Sequence, residues 1–340
     1  MDRTARRFAG KSRGPFGRTA CGSIRATAAV FAELARRGAF DLPRPGGGAT
    51  VSRLKALAEL AAGDLSVARL GEGHADAVAI LDEAGRRASS HSAYGVWAAK
   101  SNHAALRAEA ASDGWVLTGT TPFCSGARDC DRALVTASDG SHQLLFDIAV
   151  HQPEITVVDG TWPALGMAGS DSLTVNFDHL HVAGHDVVGP PDFYLTRPGF
   201  WHGGVGVAAC WYGGARAAIE ATAAVAGRAG DAELAQLSGA VARVKAMWAL
   251  LAQAADEIDG DPRDRDRGAC SRALSVRHFV YLASMDVLTA INGAGGARPL
   301  SLDADQSRRV ADLYVYLSQH HPGRDGAELG RLYVQAHTQG

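Results

Sequence analysis

The chain has 340 residues, 46% hydrophobic and 21% charged, the balance of an ordinary soluble globular protein. Its formal net charge of −2 gives no global field towards nucleic acid or an acidic membrane, so neither nucleic-acid binding nor membrane insertion is expected. The cysteines at 21, 124, 130, 210 and 270 include no C-x-x-C pair, which argues against zinc and thioredoxin-type sites and fits free thiols in a reducing cytoplasm.

Residues 1–25 read as a basic, disordered tail, with Arg3, Arg6, Arg7, Lys11, Arg13, Arg18 and Arg25 against Asp2. "TARRFAG" has the paired arginines of an export signal, but no apolar run follows before Arg25, so export is not expected. Residues 26–93 form a short helical domain. "SIRATAAVFAELARRGAF", "TVSRLKALAELAAG" and "GHADAVAILDEAGRRA" each carry apolar residues at helical spacing.

The period changes over 94–190. "GWVLTG" alternates, and "DRALVTA", "HQLLFDIAV" and "EITVVDG" are short apolar runs between turn residues. In "SLTVNFDHLHV", Leu173, Val175 and Phe177 face one way and Thr174, Asn176 and Asp178 the other. His179 and His181 share a face, but no acid or cysteine completes a metal set there, so they read as exposed strand-end residues.

From 191 to 340 the period is helical again, with helices expected over about 201–226, 232–258, 268–292 and 303–320. The fold class is therefore α+β, with helices before and after a central β block. "GVGVAA" (204–209) matches a dinucleotide-binding glycine pattern, but no strand feeds it, so close helix packing is the better reading. No H-E-x-x-H, G-x-S-x-G or P-loop pattern occurs.

The β block carries a resemblance. "YGVWAAKSNHAALRAEAASDGWVLTGTTPFCSGARDCDRALVTA" and "WPALGMAGSDSLTVNFDHLHVAGHDVVG" resemble the central domain of the acyl-CoA dehydrogenase superfamily. "INGAGGARPL" and "RRVADLYVY" resemble segments of its helical bundle. The likeness covers about residues 26–335. It implies an N-terminal helical domain, a central β-barrel and a C-terminal four-helix bundle. It also implies an FAD cofactor and oxidation of an acyl thioester such as an acyl-CoA at its α,β bond, with hydride passing to flavin N5.

By position, the resemblance places the bend Phe123-Cys124-Ser125-Gly126 against the flavin, with Ser125 as donor to the N5/O4 edge and Phe123 as aromatic wall. Val96 and Trp97 fall at the pyrimidine side, and Trp162 is a further cofactor contact. Gly295 and Gly296 approach the adenosine of a neighbouring subunit's FAD, where a missing Cβ allows close backbone contact. A homodimer or homotetramer is implied, with Val244, Met247, Leu250 and Leu251 offering an apolar face, and an electron-transfer partner is possible.

The departures from the family pattern concern the chemistry. Ala98, Thr121 and Ala168 replace an acid, a lysine and an arginine. The carboxylate that takes the α-proton of the thioester has no counterpart. One family position holds His320, and the other falls at Gly203-Gly204, beside His202. Three readings follow: a displaced acid such as Asp325 or Glu328, a histidine as in the flavin monooxygenases that share this fold, or a catalytically silent binding or assembly member.

Overall fold

A computed structural model of the protein describes residues 24–99, 105–226, 230–295 and 297–338. All but the last two residues of the expected basic tail lie outside them. The chain begins with α1 (Ile24–Arg36), α2 (Thr50–Gly63) and α3 (Leu65–Glu83). α2 spans the predicted segment because its stripe of Leu54, Leu57, Ala58 and Ala61 is buried. α3 starts well before its predicted position. The Asp64 carboxylate accepts the Val67 N–H at 2.9 Å and caps the new helix one residue after the last.

Seven strands follow: β1 (Tyr94–Trp97), β2 (Leu106–Ala111), β3 (Gly114–Cys124), β4 (Arg132–Ser138), β5 (Gln143–Ala149), β6 (Ile155–Val158) and β7 (Leu173–Ala183). They form one sheet of order β1-β4-β2-β3-β7-β6, with β5 paired to β4. Leu173, Val175 and Phe177 are buried as the alternation predicts. His179, at φ +55°, adds a bulge that shifts the alternation beyond it.

The sheet differs from the expected barrel. Among the described residues β5 and β6 do not pair, and the sheet stays open. β4 is saturated on both flanks: β5 runs along its full length, while β1 covers its first half and β2 reaches only Ser138. The far edge of β5 meets no strand, only an isolated bridge from Phe146 to Val187.

The C-terminal half holds α4 (Phe193–Thr196), α5 (Gly199–Val225), α6 (Asp231–Gly260), α7 (Ala269–Gly295), α8 (Arg298–Leu302), α9 (Ala304–Leu317) and α10 (Pro322–Thr338). The "GVGVAA" glycines lie inside α5, in a helix rather than at a strand-fed loop. α10 was not expected, since Pro322, Gly323, Gly326 and Gly330 suppress its helical signal. Residues 269–294 of α7 are long and apolar enough to cross a membrane; here Val276, Val280, Val287 and Ile291 are buried as α7 packs between α5 and α6.

One apolar core runs through both helical regions, joining Phe31, Leu54 and Leu57 to Trp211, Val280 and Leu313. Met247 and Leu251, expected to face another subunit, belong to it and are fully buried. The sheet has its own core around Trp97, Leu117, Phe146 and Phe177. A third cluster, with Ile80, Tyr94, Leu134 and Leu145, welds α3 to β1, β4 and β5. The junction of helices and sheet at α3 and β1 is where the candidate site lies.

Candidate active site

The bend after β3 is strained and partly uncovered. Phe123 takes φ +59°, a left-handed conformation that costs an ordinary side chain roughly 1–2 kcal/mol. Its ring is 57% exposed and meets Trp162 edge-on, with centroids 6.3 Å apart. The Trp162 indole N–H is held by the Met167 carbonyl at 3.0 Å. Gly126, at φ +68°, turns the chain back so that its N–H reaches the Ser170 carbonyl at 2.8 Å.

A chain of three serines lies under this bend. The Ser170 hydroxyl donates to the Met167 carbonyl at 2.8 Å. Ser172 lies 2.8 Å from Ser170 and 2.9 Å from Ser125, hydroxyl to hydroxyl. A hydroxyl has one proton. Ser170 has spent its own on Met167, so Ser172 donates to Ser170, and Ser125 donates to Ser172. In this arrangement the Ser125 proton is turned towards Ser172 and its lone pairs away from it.

β1 connects this bend to a cavity. Trp97 turns into the sheet core, where its indole N–H donates to the Ser125 carbonyl at 3.1 Å. Val96, one residue earlier, lines a cavity of about 530 Å³. α3 contributes Arg69, Glu72 and Asp76 to the cavity wall; the turn from α4 into α5 contributes Tyr194, Arg197, Trp201, Gly203 and Gly204. α7 adds Arg277, and α10 adds Asp325 and Glu328.

The carboxylates of this wall differ in character. Glu72 is buried, and its pKa is pushed up to about 8, first by loss of water and then by Asp76 one helical turn away. Arg69, 2.8 Å from Glu72, only partly offsets this. Asp76 is held by Arg53 at 2.6 Å. Burial works against the charge of Asp325, yet hydrogen bonds from Arg324 and the His321 N–H keep it below the usual carboxylate range. Near neutral pH the wall thus offers a proton-bearing Glu72 and carboxylates already committed to arginines.

Neither proposed histidine base lines the cavity. His202 is buried, and its Nε2 lies 3.2 Å from the Pro262 carbonyl; burial lowers its pKa. His320 lies one layer behind the wall, its Nε2 3.1 Å from His278 Nδ1 and its Nδ1 3.2 Å from Asp325. Burial, then the Arg277 charge, takes its pKa down to about 4, so it is neutral at pH 7. Both displaced acids considered from the sequence, Asp325 and Glu328, do line the cavity, as do Gly203 and Gly204. Cys124 is buried, and burial raises its thiol pKa. Gly295 ends α7, and Gly296 lies outside the described residues.

Sequence reading missed Arg69, Glu72, Asp76, Arg197 and Arg277. The signal available was the spacing of 69, 72 and 76 within an apolar helix, which places three charged side chains on one buried stripe.

No family model matches the sequence, and no curated protein matches it. Solved structures do. The chain is 19% identical to TdsC from Paenibacillus sp. A11-2 in complex with FMN and indole, covering 92% of this chain and 90% of that one at a TM-score of 0.77. It is 18% identical to KijD3 in complex with FMN and a dTDP-linked amino sugar, over 92% and 90% at 0.78. It is 17% identical to methanesulfinate monooxygenase MsuC from Pseudomonas fluorescens, over 94% and 97% at 0.73. The chain shares the fold of these proteins.

Proposed function

We propose that this protein is a flavin-dependent oxidoreductase, and that its reaction is monooxygenation with reduced flavin rather than α,β-dehydrogenation of an acyl thioester. The observation that carries the flavin reading is Phe123, an aromatic ring held in a left-handed conformation and left more than half exposed. Strained residues of this kind cluster at active sites and ligand clamps. A planar flavin laid between Phe123, Trp162 and the Val96 side of β1 fits that need. FMN is the form named with TdsC and KijD3, in place of the FAD expected from sequence.

The choice of reaction rests on protons. Dehydrogenation needs an ionised, unpaired carboxylate beside the substrate, and the family's positions hold Gly203-Gly204 in the wall and a neutral His320 one layer behind it. The serine chain points the same way. An oxidised flavin presents N5 as an acceptor and a reduced flavin presents N5–H as a donor, so the lone pairs of Ser125 suit the reduced form. Bound reduced flavin supplies the activation of dioxygen. The chain's own residues enclose the substrate and, through Glu72, hold a proton at the cavity wall. A homo-oligomer and a reductase that supplies reduced flavin complete the proposal.

Titration of the purified protein with FMN and FAD, oxidised and photoreduced, tests this. Tighter binding of the reduced form is expected, together with oxygen uptake when a reductase and NADH are added. Absence of binding by either flavin in either state would end the proposal, and bleaching of bound flavin by an acyl-CoA would restore the dehydrogenase reading. In Phe123→Gly, flavin affinity should fall about tenfold or more, while the flavin-free protein gains roughly 1 kcal/mol from relief of strain. In Ser172→Ala, the Ser125 proton is released, so the affinity ratio should shift towards oxidised flavin.

A further inference from the structure

The charges of the cavity do not cancel pairwise. Arg197 is matched by Glu83 at 2.8 Å and Arg324 by Asp325 at 2.8 Å, whereas Arg69 meets, at 2.8 Å, a Glu72 that keeps its proton near neutral pH. Arg277 has no carboxylate within 4 Å among the described residues. Its guanidinium donates to the Gly204 carbonyl at 3.2 Å and lies 4.7 Å over the Trp211 ring. One carbonyl and one aromatic face leave most of its five N–H donors without a strong acceptor.

Two further donors lack partners here. Arg69 Nε and Arg197 Nε are buried and make no hydrogen bond, although both residues line the same cavity. Arg197 is only 6% exposed. A buried donor left unmade costs about 1–3 kcal/mol, and three guanidinium groups reach this one space from α3, the turn between α4 and α5, and α7. Planar guanidinium forks match the two oxygens of an oxyanion.

We infer that this cavity binds an oxyanion carried by the substrate, a carboxylate, sulfinate, sulfonate or phosphate, with Arg277 as its principal partner and Arg69 and Arg197 beside it. The inference narrows the substrate class of the proposed enzyme to anions and rests on that reading only for calling the anion a substrate. The Trp211 ring at 4.7 Å and the Gly204 carbonyl at 3.2 Å restrain the Arg277 guanidinium, so the site selects a trigonal or tetrahedral oxyanion over a neutral amide or alcohol of the same shape.

The test is calorimetric titration of the full-length, flavin-free protein with benzoate, with neutral benzamide as its isostere, and with inorganic phosphate. Saturable benzoate binding, with benzamide at least about tenfold weaker, is expected. Arg277→Met should remove that preference while leaving the melting temperature unchanged or raised, because it deletes a partly buried charge that lacks a counter-charge. A merely structural arginine would instead lower the melting temperature and leave the preference intact. Should the methionine variant not fold, Arg277→Lys keeps the charge without the fork, and weakened benzoate binding is expected there too.

Binding of phosphate but not benzoate would also support the site and assign it to a phosphoryl group. Equal affinity for benzoate and benzamide, no saturable binding of either anion, or indifference to Arg277 substitution overturns it. Flavin titration of the same sample separates the two proposals. Flavin bound without anion sinks this inference alone, and anion bound without flavin sinks the functional reading alone.

Discussion

Gly213→Val should leave the protein largely unfolded. A Cβ at this position would lie 2.1 Å from the Ala58 carbonyl oxygen and 2.8 Å from its Cα, both backbone atoms of α2. No side chain can rotate out of the way, so α2 and α5 would have to separate along the contact that anchors the helical core. Overpacking typically costs 1–3 kcal/mol, and a steric conflict between two helix backbones belongs at or above about 3 kcal/mol. A helical glycine costs about 1 kcal/mol against alanine, so the sequence accepts that penalty for a close crossing. Gly330→Ala in α10 is the matched control. A Cβ there meets nothing within 4 Å, and a gain of about 0.5–1 kcal/mol is expected. Urea unfolding followed by circular dichroism distinguishes the two, and a Gly213→Val protein as stable as the control would contradict the packing described.

Glu72→Gln should abolish a loss of stability that the natural protein suffers above neutral pH. The folded pKa of Glu72, about 8, stands above the ordinary 4.5, so the folded chain keeps a proton that the unfolded chain has released. Stability therefore falls as pH rises through that window. His74 works in the opposite sense. Its Nδ1 accepts the Tyr94 N–H at 3.1 Å, burial lowers its pKa to about 4, and stability is lost as pH falls from 6.5 towards 4. His320 and His202 add further losses of the same sign. Asp312, raised by burial to about 6, and Glu72 work against these losses below pH 6. Above pH 6.5 Glu72 is left to set the slope. One proton between pH 6.5 and 8 corresponds to about 2 kcal/mol. Denaturant unfolding across that interval should show this decline in the natural protein and a flat profile in the variant.

The sequence was most legible where one element satisfies its own pattern. α2 was readable because its buried stripe repeats at helical spacing. β4 and β5 were readable as short apolar runs bounded by turn residues, and β7 by the alternation of its first half. The bend at Phe123 to Gly126 was found through a family resemblance rather than periodicity. α10 escaped because a proline and three glycines conceal a helix that is held by contact with α7 instead of by its own propensity. The cavity escaped for another reason. Its walls come from α3, β1, α5, α7 and α10, and no local pattern reports that Arg69, Arg197 and Arg277 converge. The search for a base led to His320, in the right part of the fold, but the group that reaches the cavity from there is Asp325. The hydroxyl contacts of Ser125 were not legible locally, since they involve Ser170 and Ser172, more than forty positions away.

The single core shared by the first and last helices constrains how the chain is born. α2 rests on α5, and Glu59 finds its partner Arg216 only after 157 further positions. A ribosome therefore releases the leading helices long before the surface they need exists, with Leu54 and Leu57 uncovered in the meantime. The sheet, whose contacts lie within about 90 residues of one another, is free to consolidate first. Helper chaperones that shield nascent apolar helices matter most in the interval before α5 emerges.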